Sequence, residues 1–176
     1  MSISTIPRIR VRARPGTRTK GILSGPGFSI PISLGRGGIR ADKREGDGGT
    51  PRGTFRLIRL WWRADRHTRP LTGLPLRAIA PEDAWIEDPA DRRYNRHVRR
   101  APGEAGDRLK RADHLYDFII EIDHNTKPRI AKRGSAVFIH AAREGFSPTA
   151  GCVGLELKTL KRLLARLGPK TRIEIK

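Results

Sequence analysis

The chain has 176 residues, with 37 Lys and Arg against 18 Asp and Glu, so its formal net charge is +19. Hydrophobic residues make up 36% of the chain, and one residue is a cysteine. A single Cys excludes an intramolecular disulfide framework and a thiolate-rich zinc site. No stretch approaches the roughly 18–20 continuous apolar residues that a membrane-spanning helix needs. The length predicts one domain over residues 1–176 with a core of ordinary size.

The N-terminus shows no secretory signal peptide, because arginines alternate with apolar residues from Arg8 to Arg14 and no apolar stretch follows. A cytoplasmic location, export by another route, and a chain that is a mature or trimmed form therefore all stay open. The positive charge suits nucleic acid, an anionic envelope polymer or a membrane surface equally well.

Short apolar runs separated by glycine and proline turns predict a mainly β fold, a sandwich or a barrel. In chain order, the predicted strands cover residues 8–14, 21–24, 28–33, 54–62, 116–123, 136–140 and 172–176. One α-helix is predicted at about 156–167, where leucines form one apolar stripe before Gly168-Pro169. Between about residues 63 and 113 the apolar periodicity disappears. We expect this long irregular insertion to hold short local structure and to cover or border a site.

Residues 136–155 hold the side chains that are most suited to catalysis. His140 ends an apolar β-type run, and Cys152 follows twelve positions later, flanked by Gly151 and Gly154. A nucleophilic thiol needs a base, surroundings that stabilise its thiolate, and donors for a developing oxyanion. Alone, the Cys would more often be a small buried hydrophobe and the His a structural one. Together, around a glycine-rich loop, they favour a catalytic pair.

Two motifs in this order resemble the YkuD-type L,D-transpeptidases, cysteine enzymes that remodel peptidoglycan. His140 with the run from Thr149 to Cys152 is similar to the family's His...[Ser/Thr]-x-Gly-Cys signature. The run KREGDGGTPRGTF from Lys43 to Phe55 is similar to the family's K-x-x-G-D-x-x-T-P-x-G-x-F segment. The resemblance covers roughly residues 8–176.

The resemblance implies a β-rich fold and a role for each residue of the site. Cys152 would be the nucleophile, His140 would take and return its proton, and the Ala141 carbonyl would orient the imidazole. The N–H groups around Gly151 and Cys152 would form the oxyanion hole. No metal and no cofactor are expected.

The resemblance also implies the substrate. The donor would be a peptidoglycan tetrapeptide stem, cleaved after diaminopimelate with release of D-Ala. A thioester acyl-enzyme would then pass the acyl group to an amine on a neighbouring stem and form a cross-link. A carbapenem would be expected to form a covalent adduct at Cys152, and the location would be the cell envelope or periplasm.

The chain departs from the family pattern around the cysteine. The loop between His140 and Cys152 is shorter than is common, and Gly154 replaces an Arg that often follows the cysteine motif. Arg143 is the candidate to replace that Arg in contacting a substrate carboxylate. The other substrate-binding candidates are Thr149, His124, Asn125 and Tyr94, of which the last three could instead simply turn or support the chain.

Two other functions stay open from the sequence. Water in place of an amine as acceptor would make the protein an L,D-carboxypeptidase or endopeptidase. The basic segments 8–18 and 92–100 would suit a nucleic-acid-binding domain, but that reading leaves His140 and Cys152 unexplained, so no nucleic-acid partner is expected. Scattered His and Cys residues lack metal-site spacing, so no metal site is predicted.

Overall fold

The structure is a computed structural model, and it describes residues 5–101 and 104–176. The single α-helix of these residues is α1 (Leu157–Leu164), and a one-turn 3-10 helix spans Glu144–Phe146. The predicted mainly β fold with one helix is therefore confirmed. The strands are β1 (Arg8–Ala13), β2 (Lys20–Gly25), β3 (Phe28–Ser33), β4 (Ile39–Arg40), β5 (Thr50–Pro51), β6 (Gly53–Trp62), β7 (Leu76–Ala78), β8 (Asp83–Trp85), β9 (His97–Arg99), β10 (Asp107–Arg108), β11 (Phe118–Ile122), β12 (Phe138–Ala141), β13 (Val153–Leu155) and β14 (Arg172–Ile175).

Eight strands of the described chain close into a barrel. Their order is β11-β12-β13-β3-β2-β1-β14-β6, and β6 pairs again with β11 to complete the ring. The long strand β6 does this by pairing its first residues with β14 and its later residues with β11. The first and last strands are parallel neighbours, with Arg8 opposite Arg172.

Side-chain alternation along the strands divides the apolar residues between two layers. On β11, Phe118 and Ile120 are fully buried in the barrel interior, to which the leucines of α1 also contribute. Ile119 belongs instead to a second cluster, which includes Trp61 and Phe138. This second cluster lies on the outside of the barrel wall, where the long insertion covers it.

The predicted long insertion contains short β structure. β7 adds to the barrel sheet beside β6, and β8 lies between β10 and β9 in a separate small sheet. Trp85 of β8 attaches this sheet to the barrel, because its ring packs edge-on against Phe138 with centroids 5.0 Å apart. The insertion thus forms a layer over the outer face of β6, β11 and β12.

Two local features near the C-terminus differ from the sequence-based expectation. α1 ends at Leu164, three residues early, because the last turn tightens: the Leu167 N–H donates to the Leu164 carbonyl at 3.1 Å. Leu167 stays fully buried, so the apolar stripe continues past the helix. β13 was not predicted, since three residues directly after Cys152 are too few for a periodic signal. No helix of the described residues has the length and apolar character to cross a membrane.

Candidate active site

Parallel pairing of β12 with β13 brings His140 and Cys152 to one place. His140 lies opposite Gly154 in this ladder, and Cys152 directly precedes β13. Both residues are only 7% exposed, and both line the same cavity of about 300 Å³. The cavity lies between the barrel wall and the insertion.

The His140 imidazole has a fixed orientation and a defined tautomer. Its Nδ1 lies 2.7 Å from the Ala141 carbonyl oxygen, which can only accept, so Nδ1 carries the proton and Nε2 keeps a lone pair. Tyr116 packs against the ring with centroids 5.4 Å apart. Burial, with repulsion from nearby arginines, lowers the pKa of His140 to about 4. The resting imidazole is therefore neutral at pH 7.

The Cys152 thiol is held by the backbone of the chain entering β12. Its Sγ donates to the Ala136 carbonyl at 3.2 Å and accepts the Phe138 N–H at 3.3 Å. No hydrogen bond joins Sγ to His140 within residues 5–101 and 104–176. Burial raises the pKa of Cys152 to about 12, despite the Phe138 N–H, which favours the thiolate. In the resting state, an uncharged thiol and an uncharged imidazole thus share one cavity.

The turn before the cysteine is closed by Thr149. Its hydroxyl accepts the Gly151 N–H at 3.1 Å and donates to the Cys152 carbonyl at 2.6 Å. Gly151 has a φ of +143°, and a Cβ at this position would lie 2.8 Å from the Gly49 carbonyl oxygen. Only glycine fits both the backbone angle and the close approach. In this conformation the Gly151 N–H, an expected oxyanion donor, is already occupied.

The second sequence motif forms the loop that Gly151 approaches. Lys43 is buried, and its Nζ donates to Asp47 Oδ1 at 2.7 Å. Asp47 also accepts the N–H groups of Arg44 at 2.8 Å and Gly49 at 2.7 Å. Burial opposes ionisation of Asp47, but these hydrogen bonds hold its pKa below the ordinary value. The carboxylate therefore fixes the loop that supports the cysteine turn.

Residues 34–36 link the second motif to the cysteine turn through hydrogen bonds. The Thr149 N–H donates to the Leu34 carbonyl, and the Arg36 N–H donates to the Thr149 carbonyl, each at 2.9 Å. The Gly35 N–H donates to the hydroxyl of the buried Thr50 at 2.9 Å. The two motifs that are far apart in sequence are thus one structural unit.

Charged side chains of both signs line the cavity. Arg143 is exposed at the rim, whereas Arg111 is paired with Asp113 through two hydrogen bonds of 2.9 and 2.7 Å. On the acidic side, Asp107 accepts the Tyr116 hydroxyl at 2.8 Å. Within the described ranges, no three His, Cys, Asp or Glu side chains form a group that could hold a metal ion. The charged lining residues are Arg36, Lys43, Arg111 and Arg143 with Glu45, Glu87 and Asp107.

The five substrate-binding candidates fall into two groups. Arg143 and Thr149 line the cavity, whereas Tyr94, His124 and Asn125 are not among its lining residues. The second group supports the cavity from behind, which the following contacts show.

Tyr94, His124 and Asn125 make hydrogen bonds behind the cavity wall. The Tyr94 hydroxyl donates to the Glu45 carboxylate and accepts the Gly134 N–H at 3.0 Å. Asn125 donates to the Gly134 carbonyl at 2.9 Å. His124 donates to the Arg133 carbonyl at 3.1 Å through Nε2, and burial lowers its pKa. These bonds hold the loop between β11 and β12.

The sequence did not identify several of the residues that line the cavity. Glu87, Asp107 and Arg111 belong to the insertion, where apolar periodicity is absent, and Tyr116 lies just after it. Their position depends on pairing within the small sheet, where Asp107 lies opposite Trp85. No short motif marks such a pairing.

Comparison with known proteins gave one family match and one structural match. The YkuD family model, described as an L,D-transpeptidase catalytic domain, matches residues 18–175. No curated protein matches the chain. Among solved structures, the chain is similar to L,D-transpeptidase 1 of Mycobacterium tuberculosis, with 14% sequence identity and a TM-score of 0.39. The match covers 98% of this chain and 61% of that one, so the chain spans less than two thirds of its length.

Proposed function

Since the chain belongs to the YkuD family of L,D-transpeptidase catalytic domains, we propose that it is a cysteine L,D-transpeptidase acting on peptidoglycan stem peptides through a thioester acyl-enzyme. The observation that supports this most strongly is the single cavity lined by both Cys152 and His140. The tautomer of His140 leaves Nε2 free to accept a proton, and the imidazole shares the cavity with the Cys152 thiol. Nucleophilic catalysis by a thiol requires such a base. The corresponding location would be the cell envelope, where that substrate is found.

The resting charge state indicates how the thiol is activated. Because the pKa of Cys152 is raised and that of His140 is lowered, a thiolate–imidazolium pair does not form in advance. In the proposed acylation, His140 Nε2 takes the thiol proton as Sγ attacks the carbonyl carbon of the donor peptide bond. His140 then gives that proton to the departing amine of D-Ala. The enzyme is left as a thioester, with His140 neutral again.

The surrounding groups suggest the remaining roles. We assign oxyanion donation first to the Cys152 N–H, because the Gly151 N–H bonds Thr149 in the resting state. Arg143 is the proposed partner of a substrate carboxylate, since it is exposed at the cavity rim and a guanidinium can bind a carboxylate through two hydrogen bonds.

Replacement of the cysteine tests the proposed nucleophile. We expect Cys152→Ala to form no covalent adduct with a carbapenem or with a disaccharide-tetrapeptide, whereas the wild-type protein gains the mass of the acyl group. Intact-mass spectrometry after mixing gives this readout, and the thermal unfolding midpoint shows whether the variant is folded. An adduct that forms equally on folded Cys152→Ala would exclude Cys152 as the nucleophile.

The products formed from purified muropeptides identify the acceptor. Cross-linked dimers indicate transfer to an amine, which is the proposed reaction. Shortened monomers alone indicate transfer to water, the activity of an L,D-carboxypeptidase or endopeptidase.

A further inference from the structure

One carboxylate in the cavity has no partner among the described residues. Glu87 lines the same cavity as Cys152, yet no hydrogen bond or ion pair within residues 5–101 and 104–176 involves its side chain. The other two acids of the cavity are engaged, since Asp107 accepts from Tyr116 and Glu45 accepts from Ser135 at 2.8 Å. In a chain with 37 basic residues, an unpaired acid in the reaction cavity is available to a cationic ligand.

The surroundings of Glu87 bring the pKa of its carboxyl close to neutral pH. It is exposed at the cavity rim, but desolvation and repulsion from Asp107 and Glu45 raise the pKa of its carboxyl to about 7. Its charge also reaches the reaction centre, because it contributes to the raised pKa of Cys152. A carboxyl of this kind can take up and release a proton at neutral pH.

The second half of the proposed reaction needs such a base. An amine attacks a thioester only in its uncharged form, and a primary amine of lysine type has a pKa of about 10.4. At pH 7, about one molecule in a few thousand is therefore uncharged. His140, with its pKa lowered to about 4, is poorly matched to an ammonium group.

We propose that Glu87 binds the ammonium group of the acyl acceptor in the cavity and removes its first proton. This inference rests on the proposed function. The Glu87 carboxylate takes one proton from the ammonium group, and the amine nitrogen forms a bond with the thioester carbonyl carbon. The bond from that carbon to Cys152 Sγ breaks, and the second nitrogen proton passes through His140 Nε2 to the departing sulfur. Glu87 finally returns its proton to water.

The neutral variant Glu87→Gln tests this step. With disaccharide-tetrapeptide at pH 7, we expect formation of cross-linked dimers to fall about 100-fold, the lower range of general-base contributions. Formation of the acyl-enzyme should be affected far less, because it involves no acceptor amine, and the acyl groups that are not transferred should appear as additional hydrolysed monomers or as accumulated acyl-enzyme. The dimer deficit should shrink as the pH approaches 10, where the acceptor amine loses its proton unaided.

Glu82→Gln is the matched control. It removes the same charge from the same insertion, but Glu82 pairs with Arg99 at 3.5 Å and does not line the cavity. We expect this variant to form dimers at the wild-type rate at every pH.

The outcomes separate this inference from the function on which it rests. Unchanged dimer formation in Glu87→Gln, or a deficit independent of pH, overturns the role of Glu87 alone. A wild-type protein that forms an acyl-enzyme but yields only hydrolysed monomers overturns both that role and amine transfer. A wild-type protein that forms no acyl-enzyme overturns the proposed function and the role of Glu87 with it.

Discussion

At the scale of single residues, His140 is a buried group whose charged form is unfavourable in the folded state. Its Nδ1–H donates to Ala141, and its ring packs against Tyr116. Burial makes the imidazolium unfavourable, which preserves the lone pair that the proposed mechanism uses. The same burial couples folding to pH.

The lowered pKa of His140 predicts acid sensitivity. The pKa of His140 is 6.5 in the unfolded chain and about 4 in the folded protein. Between these pH values, the unfolded chain therefore binds a proton that the folded chain does not. The stability that this group contributes is complete above pH 6.5 and is lost as the pH falls through about 4. Acidification from pH 7 to 4 should cost the wild-type protein on the order of 3 kcal/mol more than His140→Gln. Urea unfolding at several pH values measures this, and parallel pH profiles would contradict it.

The sequence singled out the two residues that share the cavity, but few of the residues around them. His140 and Cys152 were identified because a glycine-rich loop between two apolar runs has few structural explanations. The acids Glu87 and Asp107 were not, because long-range strand pairing brings them to the cavity. The tautomer of His140 and the occupied N–H of Gly151 depend on hydrogen bonds that composition does not encode.

At the scale of elements, the cysteine turn and the loop from Lys43 to Gly49 act as one unit. Gly151 lies close to this loop, since an added Cβ would be 2.8 Å from the Gly49 carbonyl oxygen. Hydrogen bonds from Lys43 to Asp47 fix one side, and Thr149 fixes the other. The similarity to a family motif identified both segments, but their contact emerged only in the fold.

Two glycine replacements separate the effect of a close contact from the effect of a positive φ. Gly151→Ala should destabilise the protein by roughly 1–3 kcal/mol and reduce carbapenem acylation at least tenfold, because the strained φ and the clash with Gly49 both displace Cys152. Gly145→Ala is the control, since Gly145 has a φ of +71° but no atom within 4 Å of an added Cβ. It should lose about 1 kcal/mol and keep its acylation rate. Equal losses of acylation in the two variants would contradict the role of the close approach.

The sequence also located most strands of the barrel, because their apolar residues alternate. It missed β13, which is three residues long, and it extended α1 to Leu167, because the apolar stripe outlasts the helical hydrogen bonds. At β13 the strand is too short to give a periodic signal, and at α1 the apolar periodicity continues past the last α-helical hydrogen bond.

At the scale of the whole molecule, one buried side chain connects the insertion to the barrel at several points. Asn95 accepts the Trp85 Nε1–H at 3.0 Å and the Ala136 N–H at 3.2 Å. It also donates to the carbonyls of His124 at 3.1 Å and Asn125 at 2.9 Å. The small sheet, the residue that accepts from the Cys152 thiol and the loop behind the cavity therefore meet at one amide.

Removal of that amide should loosen the cavity. Asn95→Ala leaves buried donors and acceptors unpaired and retains the strain of a φ of +54°, so we expect a loss of roughly 3 kcal/mol and slower carbapenem acylation. Asn95→Gly removes the strain of the positive φ but does not restore the hydrogen bonds of the amide. It should therefore recover only part of the lost stability. Thermal unfolding and intact-mass acylation rates measure both effects. Full recovery in Asn95→Gly would show that the amide bonds contribute little.

The pairing of the first strand with the last has a consequence for biosynthesis. Arg10 and Glu174 are 164 positions apart in sequence, yet β1 and β14 are hydrogen-bonded neighbours, and β14 also separates β1 from β6. During translation, the ring stays open along both β1 and β6 until the residues of β14 leave the ribosome. A chain that stalls before residue 172 presents two unpaired strand edges, which are templates for association with other chains. Closure of this barrel therefore waits for the residues of β14.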